Sequence, residues 1–176
     1  MVGFLRVHAE EEVNLNLGTA FMAAAVVGLF ESTIAAVAIL AAYMPVVAGM
    51  GGNAGTQAMA VTVRGISLGE VSLNTGKRVV FNEVVAGAAN GFITGVLVAL
   101  IAIAFSFGEF GLLLGAVIGV SMVANLVIAG FFGAITPLLL DRMGHDPATS
   151  ATICITTATD VLGFFVFLGL AQAVLL

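Results

Sequence analysis

The chain of 176 residues is 61% hydrophobic and 9% charged, with a mean hydropathy of +1.20 and a net charge of −5. A soluble domain carries roughly 25% charged residues and could not hide this much apolar surface, so the solvent is lipid and the class is a polytopic all-α membrane protein. The acidic balance and the lack of a basic patch exclude nucleic acid as a partner, and a single cysteine, Cys154, excludes an internal disulfide.

Residues 1–14 read as a short acidic cytoplasmic segment containing Glu10, Glu11 and Glu12. Those acids occupy the place of an apolar signal core, so no cleavable signal peptide is expected. Residues 15–176 read as one membrane domain of five helices, predicted over 15–30, 32 to about 63, 79–107, 110–140 and 147–176. Each is near or above the roughly 20 residues that a bilayer core requires.

In a five-span arrangement every basic residue falls on one side. Arg6 precedes the first helix, Arg64, Lys77 and Arg78 lie in the second connector, and Arg142 lies in the fourth. Basic residues favour cytoplasmic loops, which predicts an internal N-terminus and an external C-terminus. Five helices leave no even internal repeat, so a symmetric path requires a homodimer.

The second predicted helix is interrupted by GGNAGTQ, from Gly51 to Gln57. Asn53 and Gln57 are four residues apart and share a face. Gly51 and Gly55, with Gly49 and Gly52 close by, allow another backbone to approach. One turn earlier, Pro45 removes a backbone donor and is expected to kink the helix or free a carbonyl. A helix-packing seam would explain the glycines alone, but depth argues for more. Counting from Arg64, Asn53 lies roughly 16 Å into the membrane.

In the third predicted helix, Glu83 stands one turn past Lys77 and Arg78 and belongs at the cytoplasmic surface, as does Asp146 before the fifth. Both are also readable as ordinary interfacial acids. Asp146 and Pro147 suit an N-cap followed by proline at the first helical position. Asn90, Ser121 and Asn125 are expected to form interhelical hydrogen bonds, and Cys154 to pack. His8 and His145 carry no assigned role. The sequence contains no HExxH or GxSxG motif, so no enzyme is expected.

Asp160 lies deep in the fifth predicted helix, roughly 20 Å from Pro147. A charge at that depth costs about 2.5–3.5 kcal/mol and by default marks a polar pathway. Thr149, Thr152 and Thr156 recur with it at helical spacing as one stripe. A protonated or helix-paired Asp160 that ties the bundle together is the structural alternative.

The run PVVAGMGGNAGTQAMAVTVRG at 45–65, the DPA at 146–148 and Asp160 fourteen residues after Asp146 closely resemble the MgtE family of magnesium channels. The resemblance covers essentially the whole chain. It implies a homodimer of five-helix subunits in the cell membrane, with a pore at the two-fold axis lined by the second and fifth helices. It further implies that Asp160 binds hydrated Mg²⁺ with Asn53 beside it, and that Glu83 and Asp146 join a cytoplasmic-side ion site. Thr156 and Gly52 add a hydroxyl and a backbone oxygen to the expected metal set. Family members usually carry cytoplasmic N and CBS regulatory domains upstream, and this sequence has neither. An Asn that some members carry in the fourth helix is Gly130 here.

The chemistry agrees with that expectation. Mg²⁺ demands octahedral oxygen ligation, keeps several waters and takes one or two carboxylates. Thiolates and imidazoles, which suit softer metals, are missing from the expected path. Two Asp160 carboxylates near one axis would repel, and a divalent cation offsets that repulsion. Two other readings stay open: a proton-coupled secondary transporter of a divalent cation, and a non-transporting membrane assembly subunit.

Overall fold

The computed structural model describes the backbone of residues 2–105 and 111–176, and the side chains of 13–72, 75–105, 111–146 and 151–176. Six helices are described: α1 (Val2–Leu29), α2 (Glu31–Ala36), α3 (Leu40–Ser67), α4 (Leu73–Phe105), α5 (Gly111–Arg142) and α6 (Pro147–Leu175). The expected boundary at 107–110, with Glu109, lies outside the described residues, as do the side chains of Glu10, Glu11, Glu12 and Thr149.

Among the described residues three stretches are long and apolar enough to cross a membrane: Thr75–Phe105, Gly111–Arg142 and Ala151–Leu175. The apolar part of α1, Val13–Leu29, is shorter. α3 has 28 residues, and its glycine–amide run lowers its apolar content.

The expected second helix is divided. α2 ends at Ala36 and α3 begins at Leu40, while Pro45 sits inside an unbroken α3. Pro45 crowds the Ala41 carbonyl and offers it no donor. Upstream, Ala41 and Ala42 donate to the carbonyls of Ala38 and Ile39 in tighter i→i+3 bonds. The helix expected to run from 32 is thus interrupted at residues 37–39.

α5 is the hub. It packs on α3, α4 and α6, whereas α3 and α4 barely touch each other. Sequence explains this directly, because glycines let backbones meet. Gly87, Gly91 and Gly95 recur every four residues along α4 and face Leu126, Val123 and Gly119 of α5. A Cβ at Gly91 would lie 2.8 Å from Val123 Cα, and one at Gly95 would lie 2.7 Å from the Gly119 carbonyl. In lipid, such close van der Waals approach replaces the hydrophobic drive of soluble cores. Away from this seam α4 presents Phe81, Ile93 and Leu97, all exposed and apolar.

α3 and α5 end alike. Gly69 and Gly144 adopt positive φ (70° and 74°) just past the two helices. Glu70 N–H reaches the Gly65 carbonyl and His145 N–H the Leu140 carbonyl, both at 3.0 Å. These are the six-to-one bonds of a glycine-terminated helix, and they turn the chain back toward α4 and α6.

Candidate functional site

α3 buries one stripe and exposes another. Leu40, Val47, Gly51, Gly55, Ala58, Thr62 and Gly65 form the buried side. Asn53, Thr56 and Gln57 lie on exposed positions, and nothing stands within 4 Å of where a side chain would begin at Gly49 or Gly52. A polar face on a helix of a lipid-solvated bundle calls for water, ions or another protein surface.

α6 runs antiparallel to α3, as successive contacts show. Thr152 Oγ1 of α6 lies 3.8 Å from Met59 Sδ of α3. One turn on, Ile155 occupies the space before Gly55. Beyond that, Gly51 and Gly163 press on the same Asn125 side chain from opposite helices. Asn53 and Asp160 therefore both fall between the Gly55–Ile155 rung and the Gly51–Gly163 rung. The two residues matched in depth by counting are matched in depth by packing.

Asp160 and Thr156 are half-buried, while Asn53 is exposed. The hydroxyls of this region are turned in a consistent way. Thr56 donates to the Gly52 carbonyl at 2.8 Å and Thr156 to the Thr152 carbonyl at 3.0 Å. Thr157 donates to the Ile153 carbonyl at 2.6 Å. With their protons spent on their own helices, these hydroxyls offer only oxygen lone pairs to the outside. Among the described residues no three His, Cys, Asp or Glu side chains converge. Asp160 therefore belongs to no such cluster among the described residues.

Glu83 stands apart from that group. It lies in the groove between α3 and α4, shared by two adjoining cavities. One, of about 160 Å³, is lined by Gln57, Glu83 and Asn90 over a floor of Leu126 and Gly130. The other, of about 420 Å³, adds Arg64, Glu70 and Asn82 toward the helix ends. Gly130 explains how α4 comes so close here: a Cβ at that position would strike the Glu83 carbonyl. Asp146 is exposed in the α5–α6 turn.

Some expectations are revised. The close approach expected at Gly51 and Gly55 is made within the chain, to Asn125 and Ala129 of α5 and Ile155 of α6. Ser121 donates at 2.6 Å within its own helix, to the Val117 carbonyl. Asn90 is exposed and lines the α3–α4 groove. Cys154 is exposed, beside a groove shared with Leu15 and Thr19 of α1. Asn125 does form an interhelical bond, 2.7 Å from Nδ2 to the Val47 carbonyl. The glycine series on α4 escaped the sequence reading, although its four-residue spacing was visible.

Residues 44–170 match the model of the MgtE family, described as divalent cation transporters. The chain is 35% identical over 148 residues to a magnesium transporter MgtE of Bacillus subtilis, covering 84% of this chain and 32% of that protein. It is 33% identical over 146 residues to its namesake in Thermus thermophilus, covering 83% and 32%, and 30% identical over 149 residues to that of Enterococcus faecalis, covering 85% and 32%. The chain thus spans about a third of the length of these relatives. Its fold of long apolar helices, its polar face on α3 and the extent of these matches agree: the chain belongs to the MgtE family of divalent cation transporters.

Proposed function

We propose that this chain is the membrane part of a magnesium-conducting channel, assembled as a homodimer in the cell membrane. The supporting observation is the placement of Asn53, Thr56 and the open Gly52 backbone on an exposed face of α3, level with Asp160 and Thr156 of α6. A second copy brought to that face would enclose a polar path with two carboxylates at one depth. Mg²⁺ suits such a site because it keeps most of its waters and needs few carboxylates. The curated relatives are named as magnesium transporters.

In this reading the N-terminus is inside, five spans cross the bilayer, and the segment 1–14 lies on the cytoplasmic side. Asp160 binds the hydrated ion, while Asn53, Thr156 and the Gly52 carbonyl hydrogen-bond its water shell. Glu83 and Asp146 bind ions nearer the cytoplasm. The test is flux of Mg²⁺ into liposomes holding the purified chain, followed by an internal magnesium dye. Flux that persists when the proton gradient is collapsed supports a channel. Flux that vanishes with the gradient selects the coupled transporter, and no flux selects the assembly subunit.

A further inference from the structure

One buried polar group in the middle of the bundle lies off the proposed path. Asn125 of α5 is fully buried, and its Nδ2 donates to the Val47 carbonyl of α3. Its carboxamide is gripped between two glycines. A Cβ at Gly51 of α3 would lie 2.5 Å from Nδ2, and one at Gly163 of α6 would lie 2.6 Å from Oδ1. Any larger residue at either position collides with the amide. Among the described residues Oδ1 has no conventional donor, and the Gly163 Cα–H is directed at it. An amide buried with one end so weakly satisfied is costly, and an apolar side chain would fill the same volume without that cost. Directionality is what the amide adds.

Three helices meet at this one side chain. Asn53 follows Gly51 by two residues on α3, and Asp160 precedes Gly163 by three on α6. We propose that Asn125 is a positioning residue that sets the register of α3 against α6, holding Asn53 and Asp160 where both reach one hydrated divalent cation. The proposal rests on the reading of Asp160 as the ion-binding carboxylate. The bond to Val47 fixes α3 along its axis, because the acceptor carbonyl exists at one height only. The glycine faces fix the spacing of α3 and α6, because the planar amide fills the gap between them. A slip of α3 by one residue would move Asn53 by about 1.5 Å and turn it by roughly 100°, off the face it shares with Gly52 and Thr56.

The test compares Asn125→Ala with Asn125→Ala/Gly163→Ala, which returns a methyl to the emptied space but no hydrogen bond. Two readouts are taken in a Cys154→Ala background. The first is the rate of oxidative cross-linking between cysteines placed at Met59 and Thr152, a pair in contact across α3 and α6. The second is the concentration of hexaammine cobalt that halves Mg²⁺ flux in liposomes. Both variants should slow cross-linking and weaken the block by about tenfold, the upper worth of one hydrogen bond. The refilled variant should regain thermal stability without regaining either property. Normal cross-linking and normal block in the refilled variant would show that Asn125 only fills space. If the unmutated chain passes no Mg²⁺, the channel reading falls, while cross-linking still decides whether the amide sets helix register.

Discussion

Ile155 of α6 stands where a side chain on Gly55 of α3 would begin, so the two helices touch through a residue that has none. Gly133 of α5 closes on the same place, and a Cβ there would lie 2.6 Å from the Gly55 carbonyl. This knot joins the Asn53 helix to the Asp160 helix within one chain. Depth matching of the two residues is therefore a property of the subunit, before any dimer forms.

The knot makes a first prediction. Gly55→Ala should destabilise the protein by about 1–3 kcal/mol, because the new methyl overlaps the branched Cβ substituent of Ile155 and neither can rotate away. Ile155→Ala alone should also destabilise, and the double variant should lose less than the sum of the two single losses. Thermal unfolding of detergent-purified protein reports both. Simple additivity of the two losses would show that the side chain and the glycine are not coupled.

The α4–α5 seam makes a second. Gly91→Ala places its methyl against the Val123 backbone, which cannot turn aside as a side chain would. The expected cost is again about 1–3 kcal/mol. Gly28→Ala on α1, where nothing lies within 4 Å, should cost no such amount. Comparable melting temperatures for the two variants would mean that α4 is not seated by close backbone contact.

Much of the architecture was readable because lipid imposes simple demands. Long apolar runs had to be helices, and Asp160 and Asn53 were conspicuous because polar groups are rare at that depth. Counting residues along two helices was enough to match their heights. What the glycines of α3 face was not readable, since a small-residue spacing permits close approach without naming the partner. The break at 37–39 was missed because Val37, Ala38 and Ile39 carry no helix-breaking signal. Asn125 was expected to bond between helices, yet only the packed structure shows that Gly51 and Gly163 are shaped around it.

Orientation gives a third prediction. Arg64, Lys77 and Arg78 flank the α3–α4 turn, and a contact between Gly76 and Leu138 brings the end of α5, with Arg142, to the same end of the bundle. Positive residues collect on the cytoplasmic side. A cysteine at Asn74, in a Cys154→Ala background, should resist impermeant thiol reagents applied to intact cells and react once the membrane is opened. Ready labelling from outside would invert the bundle and overturn the five-span arrangement.

The last prediction concerns how the ion is held. In the proposed site Asp160 supplies one carboxylate per chain beside Thr156, whose hydroxyl proton is spent on its own helix, and this suits a cation that arrives with its water shell. Stripping water from Mg²⁺ is costly, and a conducting site must release the ion as well as admit it. Hexaammine cobalt resembles hydrated Mg²⁺ in size but cannot shed its ligands, so it should compete at the site and block flux. Asp160→Asn nearly keeps the shape and removes the charge. It should lose both the preference for Mg²⁺ and the sensitivity to the cobalt complex, in liposomes where the unmutated chain shows both. Thr156→Val removes one lone-pair donor and keeps the charge, so it should weaken the block by less than Asp160→Asn does. Suppose instead that the complex neither binds nor blocks the unmutated chain, while Asp160→Asn still abolishes transport. The carboxylate would then touch the metal directly or carry a proton, and the hydrated-ion mechanism would be wrong.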